Sequence, residues 1–108
     1  MQQTNTSVIA RRVVIDGDYA TQSYEAGWAS EVVIFVQTEG PHPDLELATE
    51  ISPDGIHWIR RGEAVTLEAA SAIAELSLAA FGNWLRVTVK GATPQEPARI
   101  LVHVNGKG

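Results

Sequence analysis

The sequence predicts an all-β fold, an antiparallel β-sandwich of jelly-roll type with about eight strands. Three observations predict it. In Trp84–Lys90, Leu85, Val87 and Val89 point one way while Trp84, Arg86, Thr88 and Lys90 point the other, the alternation of a half-buried strand. The same alternation recurs in Ala98–Val104, with Ile100, Val102 and Val104 inward, and in Leu45–Ile51. The gaps between such runs are short and punctuated by Gly, Pro and Asp, which end strands and turn the chain. At 108 residues and 44% hydrophobic, the chain suits one domain with one core, read over residues 8–108.

Residues 1–7 are polar and Thr/Gln-rich, and are expected to form a flexible arm that orders on docking. They lead into Val8–Ile15, a strand interrupted at Arg11-Arg12 and ended by Asp16-Gly17-Asp18. Val32–Val36 is apolar throughout and β-branched, which suits a strand covered on both faces. Gly40–Asp44 and Gly91–Pro97 read as loops, because proline removes ladder donors. Between them, Ser52-Pro53-Asp54-Gly55 has Pro second and Gly fourth, the pattern of a type I turn, with the Asp54 carboxylate capping its amides. That turn is expected to join Leu45–Ile51 to a short strand through Ile56 and Trp58 as a hairpin, with Trp58 anchored on the sandwich.

Glu63–Phe81 supports two readings. Leu67, Ala70, Ala74, Leu78 and Phe81 fall at helical spacing in an Ala- and Leu-rich segment. Two strands, Ala64–Glu68 and Ile73–Ala80 with Leu76 and Leu78 inward, fit equally well. A quasi-repeat runs beside this ambiguity. Val32–Val36, Gly40-Pro-His-Pro and Leu45–Ile51 share the plan of Leu85–Val89, Gly91-Ala-Thr-Pro and Arg99–Val104, and suggest two pseudo-symmetric hairpins.

Composition narrows the function classes. There is no cysteine, so disulfides and thiolate metal sites are excluded, and no apolar run approaches the length of a membrane span. Met1–Ala10 lacks an apolar core, so no Sec-type leader is predicted. A net charge of -5 argues against nucleic acid as a partner. His42, His57 and His103 are dispersed, Asp16-Gly17-Asp18 lacks the further ligands of a Ca²⁺ loop, and no nucleophile elbow or phosphate loop occurs. The expectation is therefore no enzyme activity, no cofactor and no metal.

The informative side chains are Trp28, Trp58 and Trp84, together with the doublets Arg11-Arg12 and Arg60-Arg61. Tryptophans either plug the ends of a sandwich or form an exposed platform on which a glycan stacks. Trp84 lies opposite the Leu85/Val87/Val89 row, so a second layer must cover it, a partner must meet it, or it is exposed for a ligand. Arg86 shares its face, which makes that face a candidate partner contact. The arginine doublets are candidate contacts too, forming a local patch for an acidic neighbour if their strands are near.

Two stretches carry a resemblance. Ser52-Pro-Asp-Gly-Ile-His-Trp58 followed by Gly82-Asn-Trp-Leu-Arg-Val-Thr-Val89 resembles the S-x-D-G-x-x-W … R-Y-V-R-V pairing of small jelly-roll sandwiches, including discoidin-like carbohydrate and lipid binders. The chain looks closer still to small structural proteins encoded among the virion genes of tailed phages and prophages. Gly40-Pro-His-Pro, Glu50–Trp58, Gly82–Val87, Gly91-Ala-Thr-Pro and Val104-Asn-Gly-Lys107 follow that family's order and spacing, over about residues 27 to 108. The resemblance implies strands within 63–81. It also implies a structural or accessory subunit of a larger, virion-associated assembly, whose partners are other protein subunits. A carbohydrate-binding module, or an accessory subunit of a cellular complex, is the alternative expectation.

Overall fold

The computed structural model describes residues 4–79 and 81–108. Among them nine strands form two antiparallel sheets. They are β1 (Thr4–Ile15), β2 (Tyr19–Ala20), β3 (Tyr24–Glu25), β4 (Glu31–Glu39), β5 (Leu45–Ser52), β6 (Ile59–Leu67), β7 (Ile73–Ala79), β8 (Trp84–Lys90) and β9 (Ala98–Lys107). Sheet A has the order β1-β9-β4-β7, and sheet B the order β2-β8-β5-β6 with β3 also on β8. Successive strands switch sheets except at β2–β3 and β5–β6, which is the jelly-roll course of the chain. β2 and β3 occupy one edge of β8 as a broken strand. Thr21 fills the break: its N–H donates to Val87 O at 2.9 Å, and its buried hydroxyl accepts from Val87 N–H at 3.0 Å.

Alternation sets the core. Sheet A turns Ile9, Val32, Ile34, Val36, Leu76, Leu78, Ile100, Val102 and Val104 inward. Sheet B meets them with Leu45, Leu47, Leu67, Leu85, Val87 and Val89, all buried. Each such side chain contributes about 1.5–3 kcal/mol by leaving water. The links β3–β4, β5–β6 and β7–β8 lie at one end of the sandwich with both strand termini, since Thr4 and Glu31 both pair with Lys107. The links β1–β2, β4–β5, β6–β7 and β8–β9 lie at the other end.

Several expectations change. Among the described residues Glu63–Phe81 holds no helix: β6 and β7 take it, because alternate Leu67, Leu76 and Leu78 reach the core and outweigh helical propensity. No short strand runs through Ile56 and Trp58, which stay in the turn; β6 starts at Ile59 and is longer than the Ala64–Glu68 piece, with a register shift near Gly62. Of the 73–80 strand, Ala80 lies outside the described residues. The two expected pseudo-symmetric hairpins are not hairpins. β4 and β5 lie in opposite sheets, as do β8 and β9, because their proline loops carry the chain across the sandwich. β4 is core-covered on one face only; Val33 and Phe35 on the other are half-buried by their neighbours. Finally, Thr4–Ser7 of the expected arm pair with β9 as the start of β1, while residues 1–3 lie outside the described residues.

Candidate functional site

The β5–β6 turn is built from its own side chains. Buried Ser52 Oγ accepts from Asp54 N–H at 3.2 Å and Gly55 N–H at 2.8 Å, and donates to Asp54 Oδ1 at 3.0 Å. Asp54 Oδ1 then accepts from the N–H groups of Ile56 at 2.8 Å and His57 at 2.9 Å. His57 Nδ1 lies 2.7 Å from Asp54 Oδ2. These bonds, His57 first and then Ile56 and Ser52, hold the Asp54 carboxyl well below the usual carboxylate range. Gly55 has φ +77°, as the turn required. A Cβ there would sit 3.7 Å from the Trp84 ring, so the turn folds against that ring.

Trp84 is thus half-buried, with Gly55 of the 52–57 turn against its ring. Register places the rest of the outer face of sheet B. Ser52 is opposite Trp84, Glu50 opposite Arg86, Ala48 opposite Thr88 and Glu46 opposite Lys90. Arg60 flanks Glu50 from β6, so one carboxylate lies between two arginines. Arg86 Nε donates to Glu50 Oε1 at 2.7 Å, and its guanidinium carbon lies 4.3 Å from the centre of the Trp58 ring. The guanidinium is thus fixed by a charge-assisted hydrogen bond and a cation–π contact, the latter worth about 0.5–2 kcal/mol. A cavity of about 100 Å³ continues the face among Glu46, Ala48, Glu50, Arg60, Thr88 and Lys90. At its turn end Ile56 is 75% exposed, whereas Ile59, the register partner of Ile51, faces the other side of sheet B.

Of the predicted contacts, Trp84, Arg86 and Arg60 therefore share one face, with Ser52, Pro53, Asp54, Gly55 and Trp58, predicted as the structural turn, beside them. The arginine doublets do not form one patch. Arg11 and Arg12 lie on β1, an edge of sheet A, and Arg60 and Arg61 on β6, the far edge of sheet B. Arg12 pairs with Glu39 at 3.0 Å, and Arg61 Nη2 donates to Ala79 O at 3.1 Å. Trp28 stands apart from the sheet-B face. It is 42% exposed, and its ring closes on Gly106, where a Cβ would lie 2.6 Å from it. Glu50 escaped the sequence reading, because its role depends on a register between strands far apart in the chain.

The dispersed histidines stay dispersed. His57 belongs to the turn and His103 to the outer face of sheet A, opposite Phe35. His42 Nδ1 lies 2.7 Å from Pro43 O and its Nε2 lies 2.6 Å from Ser71 O, at the far end of the sandwich. Nearby, Pro41, His42, Gln95, Glu96 and Pro97 line a cavity of about 360 Å³. No described helix is long and apolar enough to cross a membrane.

Residues 27–108 match the family described as "Domain of unknown function (DUF6385)". The chain belongs to that family. The matched span runs from Trp28 through the turn, both sheet-B tryptophans and β9, so the DUF6385 region contains the whole candidate face. No curated protein is similar to the chain in sequence. The PBSX exported protein XepA shares the fold, with a TM-score of 0.63 at 11% identity, over 98% of this chain and 36% of that one. The first carbohydrate-binding module of family 29 from Piromyces equi aligns with a TM-score of 0.49 at 10% identity, over 96% of this chain and 92% of that one. A family two carbohydrate esterase from Cellvibrio japonicus gives 0.47 at 12% identity, over 100% of this chain and 34% of that one. The DUF6385 chain thus spans about a third of XepA and of the esterase.

Proposed function

We propose that the chain is a non-catalytic structural or accessory subunit of a larger, virion-associated assembly, and that it docks through the outer face of sheet B. One observation carries the reading. Trp58, Arg86 and Trp84 are held in place by Glu50 and the 52–57 turn, with exposed Ile56 at their border. Trp and Arg dominate interface hot spots, and side chains already ordered lose little freedom on docking. The resemblance to small virion sandwiches supports the setting, as does the fold shared with an exported PBSX protein. A glycan platform fits less well, because Trp58 and Trp84 are half-buried and each already has a contact, Arg86 for one and Gly55 for the other.

The test separates surface from scaffold. Ile56→Asp with Arg60→Ala changes exposed side chains of that face and leaves the Arg86–Glu50 ion pair and the turn's hydrogen bonds intact. Tagged wild-type chain is expected to sediment with particles purified from the cells that make it. The double variant is expected to stay at the top of the gradient with an unchanged melting temperature. Wild-type chain that never co-sediments, or whose tryptophan fluorescence responds to glycans instead, overturns the proposal in favour of a carbohydrate-binding module.

A further inference from the structure

We propose that Thr4–Val8, the N-terminal half of β1, is a self-pairing edge through which two copies of this chain join antiparallel, making one continuous sheet from two copies of sheet A. A sheet edge offers unpaired N–H and C=O groups to any extended strand, and proteins blunt edges with charges, bulges or breaks. Here the other edges are blunted. β6 carries Arg60, Arg61 and Glu63, and a register shift near Gly62 at φ +78°. β7 carries Glu75, and Arg61 from β6 reaches across to its Ala79 carbonyl. The β2–β3 edge is two two-residue pieces. The second half of β1 has register shifts between Val8 and Ala10 and between Ala10 and Val13, with Arg12 at φ +47°.

Thr4–Val8 has none of these devices. Its register with β9 runs unbroken from Thr4–Lys107 to Val8–His103, and Thr4, Asn5 and Thr6 are exposed. Among the described residues no strand pairs with its outer side.

Charge selects the occupant. In an isologous two-fold pairing each residue meets itself or a near neighbour of its own copy, so any charge is met by like charge. The Arg11-Arg12 and Arg60-Arg61 segments would repel themselves in that way. Thr4-Asn5-Thr6-Ser7-Val8 carries no charge and meets no such penalty. With Thr6 on the axis, Thr4 of one copy faces Val8 of the other and Asn5 faces Ser7, pairs that suit a ladder. The pairing uses an edge of sheet A and does not depend on the sheet-B face.

Light scattering of the full chain over a concentration series reads the mass directly. The wild type is expected to rise from 11.7 kDa to twice that value. Thr6→Lys and Thr6→Glu, each placing like charges across the axis, are each expected to stay at the single-chain mass with circular dichroism unchanged. Their equimolar mixture is expected to regain the doubled mass, because opposite charges then face each other. If either variant loses its fold, hydrogen exchange on the wild type decides: amides of residues 4–8 are expected to exchange more slowly at high concentration than at low. A wild type that keeps the single-chain mass, variants that double as the wild type does, or concentration-independent exchange overturns the proposal. Ile56→Asp with Arg60→Ala leaves the doubling intact, so loss of particle docking and loss of self-pairing are told apart.

Discussion

At the end of the sandwich that carries the strand termini, the β5–β6 turn is closed by residues two or three apart: Ser52 to Asp54 and Gly55, Asp54 to Ile56 and His57. At the opposite end the ties run between loops. Asp44 Oδ1 accepts from Ala69 N–H at 2.7 Å across 25 residues, and His42 reaches Ser71 O across 29. The first end is closed by its own turn and supports the Trp58–Arg86–Trp84 face. The second is closed only once the β4–β5 and β6–β7 loops meet. Local closure of this kind costs little loop entropy, whereas each long-range tie must first bring distant segments together.

The largest expected difference between the ends comes from Ser52→Ala against His42→Ala. Ser52 is 2% exposed and serves two amides, so its loss should cost about 2 kcal/mol in chemical denaturation, from leaving those amides unsatisfied. His42 is only half-buried, and its loss should cost under about 1 kcal/mol. Equal costs would mean that the two ends are held alike. Next in size, Gly55→Val should destabilise by about 1 kcal/mol through its positive φ. A Cβ at this position would lie at ordinary contact distance from Trp84, so Gly55→Ala should lose stability with a near-normal tryptophan environment in fluorescence.

The smallest effect is a pH dependence. The Asp54 carboxyl is depressed in the folded chain, so its stabilisation is fully present above the unfolded Asp pKa of about 3.9 and fades only as pH falls toward the lower folded value. The melting-temperature gap between wild type and Asp54→Asn should therefore be constant above about pH 5 and shrink below about pH 4. A gap that grows on acidification would reverse the sign and remove the capping role.

The same local-against-distant contrast decides what the sequence could reveal. Period two in β8 and β9 and the Ser52–Gly55 turn were legible, because each depends on neighbours within a few residues, whereas inward Leu76 and Leu78 belonged to one of two readings that local pattern left equal. The sheet assignment of β4 and β5 was not legible: a Gly-Pro loop reads alike whether it closes a hairpin or crosses to the other sheet. The Glu50–Arg86–Trp58 cluster stayed hidden for a related reason. Its members come from β5, β8 and the turn before β6, and only the β6–β5–β8 order brings them together. Trp84 was legible as an exception to the core pattern, but not its contact with Gly55, since that turn lies some thirty residues earlier.

Thr4 and Lys107 are register partners, so the chain enters and leaves the sandwich about 5 Å apart, one strand spacing. A polypeptide joined at either point departs from the same place. A host loop could therefore be cut and this fold spliced in with almost no stretching of the host backbone, the geometry that favours domain insertion and circular permutation. Permutation has an equally plain route: a short linker from Lys107 back to Thr4, with new ends opened in the Gly91–Pro97 loop at the opposite end. Whatever is attached at the entry point, the His42 end faces away from it.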